Sequence, residues 1–107
     1  MEVHKILGNG LLEIVYKDAL EYEFNRNNIP FEREKEYRVI YKNQVMKHRF
    51  NADFVVFDKI ILEIKASSKL INEYIAQTLN YLNISGNRLG LLVNFGQPSL
   101  QYKRIVK

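Results

Sequence analysis

The hydrophobic residues of the chain follow helical spacing at its start. This spacing predicts a short helical end at Met1–Leu7, and then a helix from Asn9 or Gly10 to about Asn27. Glu13 lies beside the apolar stripe of this second helix. The stripe is predicted to comprise Leu11, Leu12, Val15, Tyr16, Ala19, Leu20 and Phe24.

Strand patterns occupy the middle of the chain. A half-exposed strand is predicted where Tyr37, Val39 and Tyr41 alternate with Arg38 and Lys42. The charged run Glu32–Glu36 leads into this strand. A turn at residues 42–44 leads into a strand from Val45 toward Phe57. A tight turn at residues 58–59 and a strand at residues 60–65 follow.

The last third of the chain returns to helical spacing and then to strand spacing. A serine at position 67 or 68 is predicted to cap a helix from Lys69 to Ser85. The apolar run Leu89–Asn94 predicts a buried strand. Residues 102–104 either add a last strand or stay mobile. The predicted order is αβββαβ, an α/β fold.

Outside the turn at residues 58–59, three charged residues interrupt the apolar strands of residues 51–65. Alternation puts Glu63 and Lys65 on the face of Ile61, while the even-numbered residues 60–64 face the other way. Asp53 lies on the preceding strand. A carboxylate buried there without a partner costs several kcal/mol, so it is expected to be protonated, paired or metal-bound. Two carboxylates and a lysine can form an oxygen-rich cation site, as a metal-dependent hydrolase requires.

Composition narrows the choice of metal. The chain has no cysteine and only His4 and His48 as imidazoles, which argues against a zinc site. A catalytic metal is therefore expected to be Mg²⁺ or Mn²⁺ on oxygen ligands.

Length, charge and hydropathy indicate the number of domains, the cellular location and the kind of partner. The 107 residues are expected to form a single domain. The absence of a signal peptide and of a membrane-length apolar run predicts a cytoplasmic protein that does not bind membranes. A net charge of +4 suits a polyanionic partner.

The spacing of the charged residues resembles that of a known group of enzymes. Asp53 precedes Glu63-Ile-Lys65 by ten residues, and Gln77-x-x-x-Tyr81 follows on the next helix. Together these residues resemble the PD-(D/E)XK nuclease superfamily in the form seen in RecB-type nucleases. Ala52 stands where the proline of the superfamily name is usual.

A second motif is more specific. Gly10-Leu-Leu-Glu13-Ile-Val-Tyr16 is similar to the name motif of the small GxxExxY protein family, and the similarity covers nearly the whole chain. The family's first helix normally begins some residues before Met1, so a truncated start is expected. Further matching segments are Glu2–Lys5, Tyr41-Lys42, Asn80–Leu82, Gly90–Gly96 and Lys103–Val106.

The resemblance implies a restriction-endonuclease-like fold, with a mixed central sheet flanked by helices, and a role for each candidate residue. Asp53, Glu63, the Ile64 carbonyl and Glu13 would hold Mg²⁺ or Mn²⁺. Lys65 would orient or help deprotonate the attacking water. Gln77 and Tyr81 would support Lys65 or touch the substrate backbone. The implied partner is nucleic acid, with DNA favoured over RNA, and a homodimer is compatible with so small a domain.

Each of these roles has a structural alternative. The three charged residues can form a structural ion-pair cluster. Glu13 can serve the helix dipole, Tyr16 is favoured as a core residue, and Gln77 and Tyr81 can be a polar helix edge. At the level of function, the rivals to a nuclease are a nucleic-acid-binding module without turnover and a protein-interaction subunit.

Overall fold

Three helices cover the two faces of one five-stranded sheet in the computed structural model, which describes residues 2–107. The helices are α1 (Glu2–Leu7), α2 (Glu13–Arg26) and α3 (Asn72–Ser85). The strands are β1 (Phe31–Tyr41), β2 (Gln44–Val56), β3 (Ile60–Lys65), β4 (Leu89–Asn94) and β5 (Gln101–Val106).

The sheet is mixed and its strands lie in sequence order. β3 and β4 pair in parallel across the α3 connection, and every other neighbouring pair is antiparallel. The predicted α/β architecture is therefore confirmed. The C-terminal residues form a strand rather than a mobile end, since β5 pairs with β4 along its whole length. No helix among residues 2–107 is both long enough and apolar enough to cross a bilayer.

Both long helices begin later than predicted. Helix α2 starts at Glu13, because Gly8 and Gly10 adopt positive φ angles of 68° and 101° and the Leu11 N–H donates to the Tyr16 hydroxyl. Helix α3 starts at Asn72, and no side chain caps it. Ser67 does not serve as its cap, because its hydroxyl donates to the Lys69 carbonyl.

Two apolar clusters lie on opposite faces of the sheet, as the alternation in residues 60–65 predicts. Leu62 and Ile64 pack on the α2 side, and Ile61 packs on the α3 side. The α2 cluster includes Tyr16, Leu20, Phe54, Val93 and Phe95, and the α3 cluster includes Val55, Leu82, Leu92 and Ile105.

The predicted stripe of α2 is wrong at three of its residues. Leu11, Leu12 and Val15 are exposed, at 41%, 73% and 37%. Lys17, which the prediction left outside the stripe, is only 9% exposed. A lysine is rarely buried unless it has charged partners, and Lys17 has two.

Tyr16 is a core residue that fixes the loop before α2. Its ring is fully buried and stacks on Phe95 with centroids 4.6 Å apart. Its hydroxyl donates to the Gly8 carbonyl at 2.6 Å and accepts from the Leu11 N–H at 3.2 Å. The structure therefore gives Tyr16 the core role that was favoured for it.

Tyr16→Phe is expected to lower the free energy of unfolding by about 1–3 kcal/mol, because it leaves two backbone groups without their partner. Chemical denaturation measures this loss. Tyr22→Phe is the control, since Tyr22 is 63% exposed and its change should stay within about 0.5 kcal/mol. Equal effects of the two substitutions would contradict the anchoring role of Tyr16.

Candidate active site

Strands β2 and β3 separate at Asp53 and Glu63. Ladder pairs join them from Val56↔Ile60 to Phe54↔Leu62. One step further, the Asp53 N–H donates to Glu63 Oε2 at 2.8 Å, and the Ile64 N–H donates to Asp53 Oδ2 at 2.8 Å. Carboxylate oxygens thus accept from backbone N–H groups of the facing strand. We call this point, defined by Asp53, Glu63 and Ile64, the fork.

The backbone is distorted on the other side of Asp53 as well. Ala52 packs in the same cluster as Val55, so the strict alternation of β2 is interrupted at Asp53. On β1, Glu34 occupies the position across from Asp53 and has a φ of +55°. Left-handed backbone costs a non-glycine residue roughly 1–2 kcal/mol, so other contacts must hold Glu34 in place.

Lys17 of α2 supplies those contacts. Its ammonium donates to Asp53 Oδ1 at 2.9 Å and also to Glu34 Oε1. Burial acts to lower the pKa of Lys17, but the hydrogen bonds to Glu34 and Asp53 outweigh it and raise that pKa above its usual value. Sequence reasoning missed Lys17. No pattern along α2 distinguishes it from an exposed lysine, because its partners are distant in the sequence.

Glu63 is an acid that resists ionisation. Its side chain is buried, and this burial, together with the nearby charge of Asp53, raises its pKa to about 8. The Asp53 N–H and the ammonium groups of Lys65 and Lys17 act in the opposite direction but do not cancel the rise. Without a bound cation, Glu63 therefore holds a proton at neutral pH.

Lys65 and Gln77 come together beside the fork. Lys65 Nζ lies 3.5 Å from Gln77 Oε1 and 4.7 Å from the ring centroid of Tyr74. Gln77 and Tyr74 both belong to α3, so this helix holds the end of the Lys65 side chain.

Tyr81 packs against the β1–β2 hairpin, near the carboxylates of Glu63 and Asp53. Its ring stacks on Phe50 with centroids 4.0 Å apart, and Phe50 stacks in turn on Tyr37 at 5.0 Å. Burial and the charges of Glu63 and Asp53 raise the pKa of the Tyr81 hydroxyl, which therefore stays protonated. The structure thus places Tyr81 near the fork as a packed aromatic residue.

A buried amide fixes the chain directly after Lys65. Asn94 is fully buried, and its Oδ1 accepts from the N–H groups of Ser67 and Gly96 while its Nδ2 donates to the Ser67 carbonyl. A Cβ at Gly96 would lie 2.1 Å from the Ser67 carbonyl oxygen, so only glycine fits. The ends of β3 and β4 are thereby tied together.

Glu13 does not contact Asp53 or Glu63. It is exposed at the first position of α2. Within residues 2–107, no three carboxylate or imidazole side chains converge as a complete metal-ligand group would. The metal-ligand roles of Glu13 and of the Ile64 carbonyl stay predictions.

The donors at the fork suit a hard divalent cation. They are carboxylate oxygens, the ligands that Mg²⁺ and Mn²⁺ prefer, and they lie close enough for one charge to raise the pKa of the other acid. A bound cation would remove that repulsion, so the residues present fit the implied metal.

Glu63→Gln is expected to make the metal-free protein more stable, and more so at pH 8 than at pH 5. The pKa of Glu63 rises from 4.5 to about 8 on folding, so the unfolded chain releases this proton first. Wild-type stability should therefore fall between these values, by roughly 1.4 kcal/mol per pH unit, and the glutamine variant should lack this decline.

Denaturation in EDTA at pH 5 and pH 8 measures the difference between the two proteins. Glu73→Gln is the control, because Glu73 is an exposed glutamate on α3. A difference between wild type and Glu63→Gln that is the same at both pH values would contradict the raised pKa.

Comparison with known proteins identifies the fold and the family. The structure is similar to the crystal structure of SSO0001, with a TM-score of 0.69 and 23% sequence identity, covering 87% of this chain and 48% of that one. The chain thus spans about half the length of that protein. No curated protein matches the chain.

The sequence itself matches a family model over most of its length. The model for the PD-(D/E)XK nuclease superfamily matches residues 1–105. This match agrees with the five-stranded mixed sheet, and it confirms the restriction-endonuclease-like fold and the resemblance to the superfamily. The chain therefore belongs to the PD-(D/E)XK nuclease superfamily.

Proposed function

We propose that this protein is a divalent-metal-dependent nuclease that hydrolyses phosphodiester bonds of DNA with an activated water. The observation that carries the proposal is the fork, where the carboxylates of Asp53 and Glu63 each accept a hydrogen bond from the facing strand. Lys65 lies two residues after Glu63 on the same strand. Within the superfamily, the Gly10–Tyr16 motif supports placement in the GxxExxY family. In this proposal, residues 1–107 form one nuclease domain.

The carboxylates of Asp53 and Glu63 would hold Mg²⁺ or Mn²⁺, with the Ile64 carbonyl and Glu13 as further ligands. When bound, the cation supplies a water of lowered pKa and neutralises charge on the phosphate. Asp53 is set for this role by the Ile64 N–H and by Lys17, which hold one carboxylate oxygen each. Lys17 is therefore a positioning residue.

Lys65 carries the positive charge that faces the substrate in this proposal. Its ammonium stabilises negative charge that develops on the phosphate, and it orients the attacking water. Gln77 limits the positions that the ammonium can adopt, because it accepts from Nζ. Tyr81 lies one helical turn after Gln77 on α3 and supports this arrangement through its stack on Phe50.

One observation favours a second candidate function, a nucleic-acid-binding module that has the fold without turnover. Lys17 already pairs with Asp53, so part of the negative charge at the fork is neutralised without a metal. Cleavage distinguishes the two candidates, since a module of this kind binds nucleic acid equally well in EDTA and releases no product.

Cleavage should require Mg²⁺ or Mn²⁺ and should be lost in Asp53→Asn and Glu63→Gln. These substitutions keep an oxygen to accept the N–H groups of Ile64 and Asp53, so the fold should persist. Lys65→Ala should lower the rate by at least about 100-fold, because it removes one preorganised positive group. Product release from single-stranded, duplex and branched DNA and from RNA measures these rates.

Two substitutions in the β2–β3 turn provide matched controls. Asp58→Asn and Lys59→Ala change the same residue types at exposed positions and should leave cleavage intact. Full activity of Lys65→Ala would remove its assigned role. Cleavage in EDTA, or undiminished cleavage by Asp53→Asn, would contradict the metal-dependent proposal.

A further inference from the structure

The hairpin of β1 and β2 extends beyond the rest of the sheet. Strand β3 pairs with β2 only over Phe54–Val56, so earlier residues of β2 have β1 as their one neighbour in the sheet. We call residues 36–51 the ribbon. It ends two residues before Asp53, and the stack of Tyr37, Phe50 and Tyr81 fixes its base to α3.

The ribbon carries most of the chain's excess positive charge. It contains four cationic residues, all exposed, and Glu36 as its one acid, which is a formal +3 of the chain's +4. The cationic residues are Arg38, Lys42, Lys47 and Arg49. The remaining residues are close to neutral, so the positive field of the protein is concentrated beside the fork.

Two of these charges face each other. Arg38 and Arg49 are direct partners in the β1–β2 ladder, and like charges in such positions destabilise a sheet. Glu36 offsets this only in part, through its exposed pair with Arg49 at 3.1 Å. A cationic pair that costs stability on an exposed ribbon is relieved by an anionic partner.

The tip of the ribbon adds exposed apolar surface. Ile40 and Tyr41 are 66% and 60% exposed, and Val45, the partner of Ile40, is 49% exposed. A two-stranded ribbon fits the major groove of B-form DNA, which is about 12 Å wide, but not the deep and narrow major groove of A-form RNA.

From these observations we propose that the ribbon is a DNA-binding arm, which enters the major groove of a B-form duplex and contacts its phosphates through Arg38, Lys47 and Arg49. The inference rests on the proposed nuclease function, since the arm would hold the duplex against the fork. The aromatic stack at its base, which includes Tyr81 of α3, fixes the position of the arm relative to the fork.

The test compares two variants of equal charge. Arg38→Gln/Lys47→Gln/Arg49→Gln removes three charges from the ribbon. Lys59→Gln/Arg88→Gln/Lys107→Gln removes three exposed charges at the opposite end of the sheet, where β3 and β4 begin and β5 ends. Fluorescence anisotropy in EDTA reports the binding of a fluorescein-labelled 20-base-pair DNA duplex and of an RNA duplex of the same length.

The ribbon variant should bind the DNA duplex on the order of 100-fold more weakly at 0.1 M salt, and its log–log salt slope should fall by roughly 2 to 3. The control variant should bind like wild type. Circular dichroism should show that both variants are folded. Wild type should bind the RNA duplex more weakly than the DNA duplex.

Several results would overturn the inference. They are wild-type affinity of the ribbon variant, an equal loss in the control variant, and equal affinity for the two duplexes. Sedimentation provides one more: a wild-type dimer that the ribbon substitutions dissociate would make the ribbon a contact between copies of the chain.

Cleavage measured on the same proteins separates this inference from the proposed function. Mg²⁺-dependent cleavage with unchanged duplex binding by the ribbon variant would refute the arm and leave the nuclease. Weakened binding by the ribbon variant, with no cleavage by wild type, would refute the nuclease and support the arm.

Discussion

The rest of the site depends on the hydrogen bonds that the carboxylates of Asp53 and Glu63 accept from backbone N–H groups of the facing strand. Each residue contributes to a hydrogen bond between a carboxylate and a backbone N–H of the facing strand, so β2 and β3 cannot continue their ladder past this point. The separation of the strands frees the ribbon on one side and leaves Lys65 at the end of β3 on the other. The replacement of backbone carbonyls by carboxylate oxygens as hydrogen-bond acceptors therefore shapes both the candidate active site and the proposed DNA-binding arm.

Charge balance at the fork has two parts. Lys17 of α2 compensates Asp53. No cation among residues 2–107 is in hydrogen-bonding contact with Glu63, which keeps a proton instead. A buried charge without a partner destabilises the fold, so in the absence of a metal the Glu63 carboxylate is neutralised by protonation. A divalent cation would replace that proton, which links the stability of the fold to the chemistry proposed for it.

The sequence was sufficient to predict the architecture, because the buried faces of strands and helices leave a repeating pattern of apolar residues along each element. The face assignment of residues 60–65 was correct for this reason. The starts of α2 and α3 were not predictable from caps, since neither helix uses a side-chain cap. Asp53, Glu63 and Lys65 stood out because charged residues are rare in apolar strands.

Lys17 did not stand out, because a lysine on an amphipathic helix ordinarily lies in solvent. Its burial follows from two partners, Asp53 and Glu34, that are distant in sequence. The positive φ of Glu34 was equally hidden, since nothing in a run of alternating charges predicts left-handed backbone. Such features arise from tertiary contacts, and a residue pattern along one element carries no record of them.

The most direct test of this account is the anomalous diffraction of crystals soaked in Mn²⁺. The account predicts a manganese peak in contact with the carboxylates of both Asp53 and Glu63, and no such peak in crystals of Asp53→Asn. A map with no peak at the fork, or a peak that persists there in Asp53→Asn, would contradict it.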